Sequence, residues 1–174
     1  IDKEFPNLKL RSETLKLTSL ASRTKERGET VVNYFFGSTS VYAFYIHGEN
    51  YDWKKLASTA SERDILFQLC VRFNSYFDSA SVILNDPQAF TMDAFKLYEA
   101  LELPESKNLT IIPDGMLSFI PFNALLSKIP NHSDFSNMAF LLKASVISYS
   151  TSLSTYQTEQ KHKNGKKTIL GVFP

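Results

Sequence analysis

Few residues in this sequence have types suited to nucleophilic or metal chemistry. Cys70 is the sole cysteine, which leaves no internal disulfide and no cysteine-based metal site. A thiol attacks only as the thiolate, which needs a cationic or histidine neighbour. Cys70 instead sits between Leu69 and Val71 with no histidine near it in sequence, and it reads as a small core residue. His47 falls in the turn His47-Gly48-Glu49-Asn50, with no acid or cysteine at metal or catalytic spacing, and reads as a solvated turn residue. The patterns G-x-S-x-G, G-x-x-x-x-G-K-[ST], G-x-G-x-x-G and H-E-x-x-H are absent. The six glycines are scattered, so none cluster to cradle a phosphate. Asn108-Leu-Thr110 and Asn131-His-Ser133 fit the glycosylation pattern, which matters only in a secreted protein. On these residues we assign no catalytic, cofactor-binding or metal role, and expect no cofactor.

Composition bounds the setting. A length of 174 residues fits one domain or a large part of one, able to bury roughly 70% of its extended surface. Fourteen Phe and eight Tyr argue for large buried contacts and against disorder. A net charge of +1 gives no general pull toward nucleic acid or an anionic membrane. No apolar run approaches the roughly 18 residues that span a bilayer, and Ile1-Asp-Lys-Glu-Phe-Pro lacks the basic-then-apolar pattern of a signal peptide. With a single cysteine, the expected compartment is a reducing cytoplasm.

The elements that must position any site follow from periodicity. Over residues 5 to 27, Leu8, Leu15 and Leu10, Leu17 recur at seven-residue spacing, which predicts an amphipathic helix ended by Gly28. Residues 30 to 56 predict an antiparallel meander: Thr30 to Phe36, a Gly37-Ser-Thr-Ser40 turn, Val41 to Ile46, the turn at His47, then Tyr51 to Leu56. Its edge at 30 to 46 could pair with another chain. Thr59 or Ser61, with Glu62 or Asp64 three residues on, predicts a capping box for a helix whose apolar face is Leu66, Leu69, Cys70, Phe73 and Phe77. After Asn85-Asp86-Pro87, the positions Phe90, Ala94, Leu97, Tyr98 and Leu101 predict a second helix from about Gln88 to Leu101.

A distinctive stretch then runs from Leu109 to Leu126. The β-branched run Leu109-Thr-Ile-Ile stops at Pro113-Asp114-Gly115, continues as an apolar link, and restarts at Pro121-Phe122. Pro113 suits a tight turn, Gly115 can take positive φ, Asp114 can bond N–H groups of its own turn, and Pro121 suits the first turn of a short helix. Beyond a polar loop at 127 to 137, Phe140 to Lys143 and Ser145 to Tyr149 predict extended segments entering a sheet. Ser150 or Thr151 can cap a helix through Ser152 to Gln160. Lys161 to Lys167 reads as a solvated basic loop, and Thr168 to Phe173 as a final strand. Strands alternating with helices from residue 59 onward favour an α/β sandwich.

The order Pro113-Asp114-Gly115, Leu117, Ile120-Pro121-Phe122, Ala124-Leu125 resembles the signature of CHAT domains, caspase-like modules found mostly in bacteria and often fused behind TPR repeats. Similar segments in that family are matched here by Tyr34-Phe35-Phe36-Gly37, Tyr42-Ala43-Phe44, Leu97-Tyr98 with Pro104, and Tyr149 with Ser152. The resemblance implies an α/β fold, the front part of a caspase-like α/β/α sandwich with an antiparallel N-terminal meander. Residues 1–28 would be a helical lead-in, either packed on the same domain or closing an upstream TPR-like helical region. Residues 29–174 would be the N-terminal portion of the CHAT domain. The family's histidine-glycine and cysteine motifs lie after the segment matching Thr168 to Pro174, so neither His47-Gly48 nor Cys70 takes the catalytic role. The implied parent is a cysteine endopeptidase of the caspase and separase group, associated with bacterial defence, with the fragment itself inactive. Its partners would be proteins: a peptide substrate, a regulatory partner or the upstream helices, with neither nucleic acid nor membrane. A non-catalytic protein–protein interaction scaffold and an unrelated α/β binding domain stay open beside it.

Overall fold

The computed structural model describes residues 16–129 and 135–158. Helix α1 (Leu17–Arg27) stops where Gly28 turns left-handed at φ 59°, so that the N–H groups of Gly28 and Glu29 reach back to its last carbonyls. Strands β1 (Thr30–Phe36), β2 (Val41–His47) and β3 (Asn50–Ala57) form the expected meander. Helix α2 (Ala60–Ser75) begins at Thr59, and its capping box uses Glu62, which settles the choice left by the sequence. Helix α3 (Ala80–Asn85) follows, then α4 (Pro87–Ala100), with Asp86 accepting from the Ala89 N–H and Pro87 in the first turn. Strand β4 (Asn108–Ile112) leads through two 3-10 turns (Gly115–Phe119 and Phe122–Ala124) and a third (Phe135–Asn137) to α5 (Leu141–Ala144), β5 (Val146–Tyr149) and α6 (Leu153–Thr158).

The five strands lie in the order β3-β2-β1-β4-β5. The meander is antiparallel, whereas β4 joins β1 in parallel and β5 joins β4 in parallel. Alternation along β1 sends Val32 and Tyr34 to one face and Val31 to the other. The first face packs on Leu66, Cys70 and Phe73 of α2 and on Phe90, Ala94 and Leu97 of α4. The second holds Leu20 of α1, Ile46, Ile112 and Tyr156 of α6. The fold is therefore α/β, a mixed sheet with helices on both faces. No helix among the described residues is long and apolar enough to cross a membrane.

Several local expectations are corrected. Because β4 inserts beside β1, the segment 30 to 46 lies inside the sheet, and the outer strands are β3 and β5. Phe140 to Lys143 is a helical turn after a bridge between Phe140 and Leu126. Leu141 dips into the core and its N–H bonds the Leu125 carbonyl at 2.8 Å, which an extended run could not do while also aligning Val146 with Asn108. Helix α3 was not foreseen, and α2 ends before Phe77, which is 44% exposed while still lying edge-on to Phe73 and Phe90. The cap of α6 is Ser152, whose Oγ accepts from the Thr155 N–H at 3.0 Å, and not Ser150 or Thr151. The restart at Pro121 is a 3-10 turn. Leu8, Leu10 and Leu15, the middle of the polar loop, the basic loop at 161 to 167 and the strand at 168 to 173 lie outside the described residues.

One ion pair joins α2 to α4. Arg72 grips the Asp93 carboxylate bidentately, Nε to Oδ2 at 2.5 Å and Nη2 to Oδ1 at 2.8 Å, and the Tyr76 hydroxyl donates to Oδ2 at 3.1 Å. Burial of Asp93 opposes its ionisation, but the bonds from Arg72 and Tyr76 outweigh that and hold the carboxyl below its ordinary value of 3.8. A folded-state pKa below the unfolded one means stability that is present above the unfolded pKa and drains as pH falls through it. The wild type is expected to lose stability below about pH 4, and Asp93→Asn to start weaker at neutral pH with a shallower loss over that window. Denaturant titrations at pH 7 and pH 3 check this.

Candidate functional site

The Pro113-Asp114-Gly115 stretch sits where the parallel strands β1 and β4 both end. The last β1–β4 pair is Asn33 with Ile112, which leaves the Phe36 N–H beyond the ladder. Asp114 Oδ2 accepts that N–H at 2.8 Å. Its side chain caps nothing in its own turn, which corrects the expected local bond. Gly115 has φ 55°, and a Cβ there would stand 3.2 Å from the Cβ of Phe36. Aspartate and glycine are thus both required by β1: one supplies the missing acceptor, and the other lets the backbone pass Phe36. The stretch is a clasp between strands.

At the opposite end of the sheet an open cleft of about 740 Å³ is lined by Thr30, Tyr45, His47, Lys54, Glu102 and Ser106, among others. The hydrogen bonds fix its proton pattern. Ser106 Oγ donates to the Asn108 carbonyl at 2.8 Å, and Thr30 Oγ1 donates to Ser106 at 3.1 Å. With its proton used, Thr30 accepts from His47 Nδ1 at 2.9 Å. Across the cleft Tyr45 donates to the Glu102 carbonyl at 3.0 Å, and Lys54 pairs with the Glu102 carboxylate. Glu102 is held at φ 45°, a left-handed backbone that costs a non-glycine residue about 1–2 kcal/mol. Burial first, then the carboxylates of Glu102 and Asp52, push the Tyr45 hydroxyl pKa up, so it stays a proton donor.

No thiol lines the cleft beside His47. Cys70 is fully buried between α2 and the sheet, and desolvation pushes its thiol up to about 12, which leaves it protonated at neutral pH. Sequence and structure agree on a structural thiol and on a turn-end histidine that is exposed, although the cleft gives His47 a partner that its sequence neighbours do not. Among the described residues no group of three or more His, Cys, Asp or Glu could hold a metal ion.

Two features escaped the sequence. Glu29 is buried, and its carboxylate accepts Thr110 Oγ1 at 2.6 Å and the Tyr156 hydroxyl at 2.8 Å, with Arg27 Nη1 at 3.5 Å. Arg23 and Arg27 lie over the Tyr156 ring, 5.2 and 5.5 Å from its centroid. This network ties α1 and α6 to the sheet. The second is an aromatic field on the part of the second face that α1 and α6 leave uncovered. Phe35, Phe44, Tyr51 and Trp53 are exposed, and Tyr42 links them, 6.4 Å from Phe35 and 6.1 Å from Trp53. The strand alternation of the meander carried its signal, because Tyr42 and Phe44 on β2 and Tyr51 and Trp53 on β3 stand two residues apart and so share a face. Compared with known proteins, the chain matches no family model and no curated protein.

Proposed function

We propose that the chain is the front part of a CHAT-type domain whose parent is a caspase-like cysteine endopeptidase, with this part supplying the sheet and not the reacting groups. The observation that carries the reading is the order of elements around the clasp. An opening meander, a helical crossover and then a Pro-Asp-Gly strand follow one another along the chain in the order that the resemblance implies. The only described thiol is buried in the core, so the catalytic cysteine and histidine are sought downstream of Pro174, after later strands. Regulated proteolysis in a bacterial cytoplasm, under control of a protein partner or of upstream TPR-like helices, is the setting we infer.

The test compares this chain with the full-length gene product on a peptide library. The chain alone is expected to show no turnover, and the full-length protein turnover that thiol alkylation abolishes. Thiol-dependent cleavage by this chain alone, lost in Cys70→Ala, would overturn the reading. An interaction scaffold without a catalytic pair is the second reading, favoured by the uncovered aromatic field. A downstream sequence lacking either a histidine-glycine or a cysteine at a strand end selects it.

A further inference from the structure

We propose that β3 pairs antiparallel with β3 of a second copy of this chain, about a two-fold axis passing at Trp53, which joins two five-stranded sheets into one. The inference is independent of the reading as a CHAT-type domain. It starts from the position of β3: an outer strand of the sheet, exposed along Asn50 to Lys55, with no strand of the described residues on its other long edge.

Hairpin geometry says which backbone groups are free. The two-residue turn Gly48-Glu49 is closed by the pair His47 and Asn50, and hydrogen-bonded pairs then alternate along an antiparallel ladder. Asp52 and Lys54 therefore turn their backbone groups to β2, and Tyr51, Trp53 and Lys55 turn theirs outward. The Trp53 N–H is bonded to the carboxylate of Asp52 beside it, at 2.8 Å, as a donor without a strand partner would be. The only irregularity of the β2–β3 register lies beyond Lys55, next to Val41 and Tyr42, so the outer edge from Tyr51 to Lys55 is regular.

The side chains then select one register. With the axis at Trp53, Asp52 stands opposite Lys54 of the second copy and Lys54 opposite its Asp52. On the other face Tyr51 meets Lys55 of the second copy, a cation over a ring, and the two Trp53 side chains meet at the centre. Moving the axis by one residue, onto Asp52 or onto Lys54, sets two carboxylates or two ammonium groups face to face. The sequence Tyr51-Asp52-Trp53-Lys54-Lys55 is self-complementary in one antiparallel register and repulsive in its neighbours, as a two-fold interface requires. On pairing, the Trp53 N–H passes from Asp52 to the Trp53 carbonyl of the second copy, which frees the Asp52 carboxylate for Lys54. Lys54 has three donors and can keep Glu102 as well. The aromatic fields of both copies lie on the same side of the joined sheet and become one surface.

Sedimentation of the chain over micromolar to submillimolar concentrations tests this. The mass is expected to rise from 19.8 kDa toward twice that value with concentration. Lys54→Asp is expected to weaken the dimer by at least ~10-fold, as is Asp52→Lys, because each puts like charges opposite one another twice. The double variant Asp52→Lys/Lys54→Asp, which restores opposite charges only in this register, is expected to recover it. Far-ultraviolet circular dichroism confirms that each variant is folded. A chain monomeric at every concentration overturns the proposal, as does a dimer indifferent to Lys54→Asp or one that the double exchange fails to recover.

Discussion

Phe122→Ala is expected to destabilise the protein by about 3–5 kcal/mol, the usual cost of emptying an aromatic site in a closed core. Phe122 is fully buried. Its ring stacks on Tyr34 of β1 at 6.2 Å and tilts against Tyr149 of β5 at 6.2 Å. It therefore bridges two strands that do not touch each other, with β4 between them. The site cannot collapse easily, because Tyr34 is anchored through its hydroxyl to the Leu101 carbonyl at 3.0 Å. Calorimetry is expected to show a fall in Tm of about 10 °C or more, and Phe122→Leu is expected to lose less than half as much. A loss within error for the alanine variant would mean that the Ile120-Pro121-Phe122 motif is not a core anchor.

Glu29→Ala is expected to cost about 2–4 kcal/mol, through groups left behind and not through lost volume. The change strands two hydroxyls, those of Tyr156 and Thr110, in a region where both residues are buried. Each stranded buried group costs about 1–3 kcal/mol. Glu29→Gln keeps one acceptor oxygen and is expected to recover roughly half of the loss. The same network has an alkaline signature. Burial, then the Glu29 carboxylate, raise the Tyr156 pKa above that of an unfolded tyrosine. Stability from this hydroxyl is complete below about pH 10 and falls as pH rises beyond it. Denaturant midpoints measured at pH 8 and pH 10.5 check both points, and Tyr156→Phe is expected to flatten the difference.

How much of this was legible in the sequence depends on the distance over which each decision is made. The meander was readable because alternation and the turns at Gly37 and Gly48 are local. The ends of α1 and α2 were readable because Gly28 and the Thr59–Glu62 box act within one turn. Phe140 to Lys143 was not, since a four-residue apolar run has no period to tell helix from strand. Sheet order was lost as well: the insertion of β4 beside β1, which makes β3 the outer strand, is a pairing across the whole helical crossover. Side-chain partners failed for the same reason. Asp114 looked like a residue serving its own turn, yet its acceptor is spent on an amide 78 positions earlier. Glu29 meets Thr110 and Tyr156 across 81 and 127 positions, and nothing beside it in sequence marks it as buried.

The Pro113-Asp114-Gly115 stretch is the feature most open to being taken for an active-site loop, and its role as a clasp is the centre of this account. Native-state amide exchange at Phe36, in the wild type and in Asp114→Ala, tests it most directly. The expected result is that the Phe36 amide loses about tenfold or more of its protection in the variant, beyond any loss at Val32 on the same strand. Unchanged protection at Phe36 in a folded Asp114→Ala protein would contradict the clasp and return Asp114 to the list of groups free for chemistry.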